Sequence, residues 1–177
     1  MTRICFVRHG ETDWNIELRM QGHVAIPLNA TGLAQAAALG RRFAAGMEAA
    51  AIYSSDLLRA RQTAQPIAEA LGLPVVPLAG LRERSFGRCE GLVIAEILER
   101  FPEEGLAMKR RDADHVPQGG ESRRQHQERI RACVRELAGC HAEQSLVVVT
   151  HGGVLDVVYR IATGLPIEAT RNYPIGN

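Results

Sequence analysis

The run Ser145–Thr150, SLVVVT, constrains the fold more than any other stretch of the chain. Leu146, Val147, Val148 and Val149 leave no polar face for water, so a strand here has to be covered on both sides. Central strands of parallel sheets are covered in that way. The chain opens on a second run of the same character, Arg3–Arg8 (RICFVR), and Ala51–Ser54 and Val75–Leu78 read as shorter strands. Helical spacing fills the intervals. One helix is expected from Thr31 to about Gly46, with Thr31 as N-cap and Leu33, Ala36, Ala37, Leu39, Gly40 and Phe43 on its small-residue face. A second run passes through Leu57, Ala60, Ala64, Ile67, Ala68 and Leu71, with Pro66 predicting a kink or a late start. Others cover Val93 to about Phe101, ended by Pro102; Glu121 to about His141, with Ile130, Cys133, Val134 and Leu137 on one stripe; and Val154–Thr163. Strands alternating with helices predict an α/β protein with a largely parallel sheet.

A length of 177 residues suits one domain spanning 1–177, and there is no internal repeat. Its least regular part is 103–120, within an excursion over about 93–120. The formal net charge of +1 gives no general attraction to nucleic acid or to an anionic membrane. No stretch approaches the roughly 20 apolar residues that span a bilayer, and the N-terminus lacks a secretory pattern. Cys5, Cys89, Cys133 and Cys140 show no C-x-x-C spacing and read as reduced thiols. A soluble, cytoplasmic protein is expected.

Two strands end in the same chemistry. FVRHGE and VVTHGG each run from apolar residues into a histidine followed by glycine, at His9 and His151. Ligands of open α/β sheets bind outside the carboxyl ends of the strands, so the two imidazoles are expected in one crevice. Glycine after each lets the backbone approach a bound group and expose its N–H. Arg8 sits beside His9, and Arg59 follows the second strand by about one helical turn. Together they offer fork-shaped donors to a tetrahedral dianion. Glu83, after the third strand, is placed to give a proton to a leaving alkoxide and then take one from water. A neutral His9 attacks phosphorus in such a site, and nearby arginines disfavour its protonation. His23, His115, His126 and His141 read as loop or polar-face residues. Asp112–His115, DADH, lacks the spacing of a metal site, and no metal is expected.

These pieces resemble the histidine phosphatase superfamily, also called the phosphoglycerate mutase-like family. RHGETDWN, QGHVAIPLNATGLAQA, YSSDLLRARQTA, LRERSFGRCEGL, GGES and VVTHGG occur in the family's order between Ile4 and about Gly164. The resemblance implies a three-layer α/β/α sandwich around a mostly parallel sheet with one antiparallel strand. It implies His9 as the nucleophile that becomes phosphohistidine, with Arg8, Arg59 and His151 completing a phosphate pocket. Asn15, Gln21 and the N–H of Gly152 would line that pocket, and Glu83 would be the proton donor.

Two departures stand out. Ala25 occupies a position where members of this branch often carry aspartate. The family also continues past NYPIGN with a further strand, so the sheet is expected to lack an edge and to offer it for pairing. A homodimer is one outcome of such pairing. The segment RSFGRCEGL, with Glu90 and Gly91, resembles the phosphatase branch, and a small phosphorylated metabolite is the expected partner. The alternatives are a phosphoglycerate mutase, which alone would need 2,3-bisphosphoglycerate as cofactor, and a catalytically silent phospho-ligand binder. Lys109, Arg110 and Arg111 read as part of a solvated loop, and the sharper alternative is that one of them meets a second acidic group on the substrate.

Overall fold

Four strands form the middle layer of the computed structural model, which describes residues 1–176. They are β1 (Arg3–Arg8), β2 (Ala51–Ser54), β3 (Val75–Pro77) and β4 (Ser145–Thr150). Their order is β1-β4-β2-β3, and every neighbouring pair is parallel. The antiparallel strand implied by the resemblance is not found among the described residues. The segment after the last helix, 164–176, makes turns, bends and chain without regular structure instead.

The helices are α1 (Asp13–Ile16), α2 (Ala30–Ala44), α3 (Leu58–Leu71), α4 (Ile94–Arg100), α5 (Pro102–Arg110), α6 (Arg123–Cys140) and α7 (Gly152–Thr163). Successive residues of β4 point to opposite faces, which assigns the layers. Val147 and Val149 pack with Phe43 of α2 and with Ala60, Ala64 and Ile67 of α3. Leu146 and Val148 pack with Leu81 and with Leu137 of α6. Ile130, Val154 and Val157 then join α6 to α7. The result is helices on both faces of one sheet. Ile52, Ile67 and Val148 are fully buried, and burial of each such side chain contributes about 1.5–3 kcal/mol.

Three local expectations are corrected. Asn29, not Thr31, caps α2: its side chain accepts from Gly32 N, while its own Nδ2 donates to Glu11 Oε1 at 3.0 Å. Helix α3 starts at Leu58, eight residues before Pro66, so the late start is not found. Gly40 of α2 packs against that proline, and a Cβ on it would lie 2.8 Å from the Pro66 carbonyl oxygen. Pro102 stops α4 but also starts α5, because a helix's first N–H needs no intrahelical partner and proline lacks one. Much of the excursion is therefore helical.

Candidate active site

Strand order decides which residues meet. Because β4 lies between β1 and β2, the carboxyl ends of these three strands stand side by side. His9 N donates to Thr150 O and Ser55 N to Val149 O, both at 2.9 Å. The chain ends Arg8-His9, Thr150-His151 and Ser54-Ser55 thus converge, with Arg59 in the first turn of α3. The His9 and His151 rings lie 5.2 Å apart, centroid to centroid.

The turn after His9 is held on two sides. Gly10 N donates to Thr63 Oγ1 at 3.0 Å, and that hydroxyl donates to Arg59 O at 2.8 Å. On the other side the turn lies against α2, where a Cβ on Gly32 would sit 2.1 Å from Glu11 O. His9 itself is only 3% exposed. Its Nδ1 is 2.7 Å from the carbonyl oxygen of Gly10. A carbonyl only accepts, so Nδ1 carries the hydrogen and Nε2 keeps its lone pair. Burial, then Arg59, and more weakly Arg8, push the His9 pKa down to about 3. The ring is therefore neutral, with its lone pair on Nε2. Arg8, the sequence neighbour, matters less for this than Arg59.

His151 is fully buried and caps α7 without a side-chain bond to it. Its Nε2 lies 2.8 Å from Ser55 Oγ, which also accepts from Leu57 N at 3.3 Å. Where the hydroxyl donates to Nε2, the imidazole carries its proton on Nδ1. That Nδ1 has no protein partner. Burial first, then Arg59 and His9, hold the pKa of His151 well below the usual histidine value.

Arg59 is 1% exposed. Its two terminal nitrogens donate to Val24 O at 3.0 Å and Gly22 O at 2.8 Å, while its Nε is buried without a partner. Burial lowers its pKa to about 10 against the opposing pull of Glu83 and Glu90. Arg8 donates through Nη1 to Ile175 O at 3.0 Å, and its Nε too is buried and unpartnered. Gly152 lies against this guanidinium: a Cβ on it would be 3.4 Å from Arg8 Nε. It is also the first residue of α7, at the positive end of the helix dipole.

Glu83 faces the same group. Its Oε2 accepts from Gly153 N at 2.8 Å and its Oε1 from Arg84 N at 2.9 Å. A Cβ at position 153 would sit 2.0 Å from Oε1, so the second glycine of HGG makes room for the carboxylate. The charge of Glu83 acts on His9, Arg8 and Arg59 alike. Asn15 and Gln21 meet at Thr12: Asn15 Oδ1 accepts from Thr12 N at 3.0 Å, and Gln21 Nε2 donates to Thr12 Oγ1 at 2.8 Å. Gln21 Oε1 is buried and unpartnered.

His126 is not the solvated residue its sequence setting suggests. It is 4% exposed, and its Nε2 lies 3.9 Å from Glu83 Oε1. Its pKa falls to about 3, chiefly through burial and next through Arg129. His23, from the first loop, has its Nε2 2.8 Å from the Glu83 carbonyl oxygen and so donates to it. Neither contact carries a short-range sequence signal, since 43 and 60 positions separate the partners. Asp112 Oδ1 accepts from the N–H groups of Asp114 and His115, closing a turn. Among the described residues no group of three or more His, Cys, Asp or Glu side chains is arranged to hold a metal ion.

The imidazoles of His9 and His151, the unpartnered Nε atoms of Arg8 and Arg59, the start of α7 and the Glu83 carboxylate form an arrangement that can receive an oxyanion beside a proton carrier. The chain belongs to the histidine phosphatase superfamily (branch 1), whose sequence model matches residues 4–177. Among its relatives is a protein of Arabidopsis thaliana named metal-independent phosphoserine phosphatase. The two are 40% identical over 161 residues, 90% of this chain and 68% of the relative. A protein of Mycobacterium tuberculosis named glucosyl-3-phosphoglycerate phosphatase is 37% identical over 97% of this chain and 78% of its own length. The solved structure of Bacillus stearothermophilus YhfR superposes with a TM-score of 0.89 at 33% identity, covering 98% of this chain and 86% of the other.

Proposed function

We propose that the protein is a metal-independent phosphomonoesterase that works through a phosphohistidine on His9. The observation that carries this reading is the Nδ1–Gly10 contact of 2.7 Å, which fixes the tautomer and leaves Nε2 as a lone pair. Nε2 attacks the phosphorus of the bound ester in line, forming a P–N bond as the P–O bond to the alcohol breaks. Glu83, in its protonated form, gives its proton to the departing alkoxide oxygen. Its carboxylate then takes a proton from water, whose oxygen attacks phosphorus and breaks the P–N bond. Inorganic phosphate leaves, and His9 and Glu83 return to their starting states.

Charge is stabilised throughout by fixed donors. The Nε atoms of Arg8 and Arg59 and Nδ1 of His151 lack protein partners, and each suits one oxygen of the transferring group. A hydrogen bond to a charged group is worth about 1.5–3 kcal/mol, and more where it strengthens as charge moves in the transition state. Asn15, Gln21 and Gly152 N complete the pocket in this reading. No resident cofactor is needed, in keeping with the name of the Arabidopsis relative. The substrate is a small phosphorylated metabolite, the class that the names of both curated relatives describe. The four cysteines are unpaired, which supports a reducing, cytoplasmic setting, and no described helix is long and apolar enough to cross a membrane. Residues 1–177 act as one domain.

Phosphorus NMR with 3-phosphoglycerate, a trace of 2,3-bisphosphoglycerate and a chelator tests the reading. Inorganic phosphate accumulates with the unaltered protein and not with His9→Ala. Growth of 2-phosphoglycerate without free phosphate would make the protein a mutase. Phosphate binding with no turnover would make it a binder.

A further inference from the structure

The phosphohistidine cycle gives tasks to His9 and His151 but none to His126, although that ring too is buried, at 4% exposed. It stands in the first turn of α6, where Ser122 O accepts its backbone N–H at 3.0 Å. Its side chain bonds the backbone of Arg82 in the sense that favours a charged ring. A bond of that sense is donated by the ring to a carbonyl oxygen. Nε2 is buried without a partner, so Nδ1 makes this bond and Nε2 holds the lone pair. That nitrogen lies 3.9 Å from Glu83 Oε1, and both residues line one cavity of about 320 Å³.

Helix α6 also fixes the chain on which Glu83 sits. Arg129, one turn after His126, donates to Gly80 O and Arg82 O at 3.0 Å and to Glu83 O at 3.2 Å. Glu121 holds Arg129 at 2.6 Å, and His23 donates to the Glu83 carbonyl from the first loop. The imidazole itself stays uncharged: burial, then Arg129, hold its pKa at about 3, with Glu121 opposing and Arg84 adding to the fall. A neutral ring with a free lone pair makes no ion pair with a carboxylate, but it accepts a hydrogen bond from a carboxylic acid. The N–H groups of Gly153 and Arg84 favour the opposite, ionised form of Glu83. The charges of Arg8 and Arg59 act in the same direction, while His9 and His151 beside them are neutral. A residue that has to give a proton and then take one needs support for both forms.

We propose that His126 is a positioning residue for the acid: its Nε2 accepts the hydrogen of protonated Glu83 at Oε1 and holds the proton there until the alcohol departs. The inference rests on the phosphatase reading for the work that Glu83 does. Oε1 reaches Nε2 by a shift of about 1 Å, or through one water. When the P–O bond breaks, the hydrogen leaves Oε1 for the alkoxide oxygen. The carboxylate that remains keeps its bonds from Gly153 N and Arg84 N. A proton from the attacking water then restores the acid and its bond to His126. The imidazole changes charge at no point in this cycle, and it acts on the substrate only through Glu83.

Nitrogen NMR of the protein labelled in its histidines observes the contact directly, with the His126 signals assigned by their loss in His126→Leu. As pH falls from 9 to 6 in saturating inorganic phosphate, Nε2 should move upfield in step with the Glu83 carboxyl carbon. That is the direction for a nitrogen that begins to accept a hydrogen bond, and Glu83→Ala should abolish it. An Nε2 signal that stays constant, or that moves equally in Glu83→Ala, would overturn the proposal. Kinetics separate this role from packing. Phenyl phosphate needs a proton on its leaving oxygen more than p-nitrophenyl phosphate does, and the two esters are similar in shape. His126→Leu should lower the phenyl to p-nitrophenyl ratio of kcat/KM by roughly 3- to 10-fold, the loss expected for one hydrogen bond. It should also bring the basic limb of the phenyl phosphate pH profile to lower pH. His126→Gln, which keeps an acceptor oxygen, should recover part of the ratio. An equal loss for both esters would mark a packing role and overturn the proposal as well. Turnover of neither ester by the unaltered protein would sink the phosphatase reading, while the Nε2 signal still decides the role of His126.

Discussion

Lowering the pH should unfold this protein earlier than its carboxylates alone would. His9, His126 and His151 are each at most 4% exposed, and all three pKa values lie far below the ordinary 6.5. The folded state therefore keeps them neutral, while the unfolded chain protonates them as pH falls through about 6.5. Below that value the unfolded state binds more protons, and stability declines with falling pH at least until the folded pKa values of His9 and His126, near 3, are reached. Each histidine contributes up to about 1.4 kcal/mol per pH unit, so the three together approach about 4 kcal/mol per unit near pH 5. Integrated from pH 7 to pH 5, the loss is about 6 kcal/mol, comparable with the total stability of about 5–15 kcal/mol of a typical domain. Paired carboxylates such as Asp156 and Asp56 have lowered pKa values and add a loss of the same sign at lower pH. Urea titrations at pH 7, 6 and 5, in buffers free of phosphate, measure the slope directly. His126→Leu should reduce it by about a third, since one of three proton-linked groups is gone. A stability that changes by less than about 2 kcal/mol between pH 7 and pH 5 would refute the account of these residues as buried and neutral.

Gly153→Ala forces a methyl group into Glu83, 2.0 Å from Oε1; steady-state kinetics should show kcat falling by roughly 10²-fold with the fold intact, the loss typical of displaced acid–base catalysis. Gly32→Ala meets backbone, not a side chain, at Glu11 O. It should cost about 1–3 kcal/mol in urea melts and disturb the turn that holds His9. Arg59→Met removes two bonds to the first loop, at Val24 O and Gly22 O, together with the proposed oxyanion contact. Its kcat/KM should drop by about 10²–10³, the loss of an oxyanion-type contact, and an unchanged value would remove Arg59 from the site.

How far the sequence reveals this molecule depends on the range of the contacts involved. Strands β1, β2 and β4 are legible to the residue because short apolar runs end abruptly in polar turns. The meeting of His9 and His151 follows from their places at strand ends. The order β1-β4-β2-β3 does not follow, because nothing local records which strand enters the middle of a sheet. Pro102 carries two opposite signals, a stop for α4 and a start for α5, and only the first is visible from the residues before it. His126 escapes notice for a related reason. Polar neighbours surround it on α6, and its approach to Glu83, 43 positions away, leaves no local trace. Asn29 and Thr31 are both good helix caps by composition, and the bonds between Asn29 and Glu11 settle the choice.

The most direct test of the central claim is to quench the protein during turnover of a small phosphomonoester and map the phosphoryl group by mass spectrometry. Alkaline handling preserves phosphohistidine. The account predicts a phosphorylated peptide containing His9, labile to acid and absent from His9→Ala, with label that accumulates when Glu83→Gln slows the attack of water. Turnover with no phosphoryl-protein, or with the label on another residue, would contradict it.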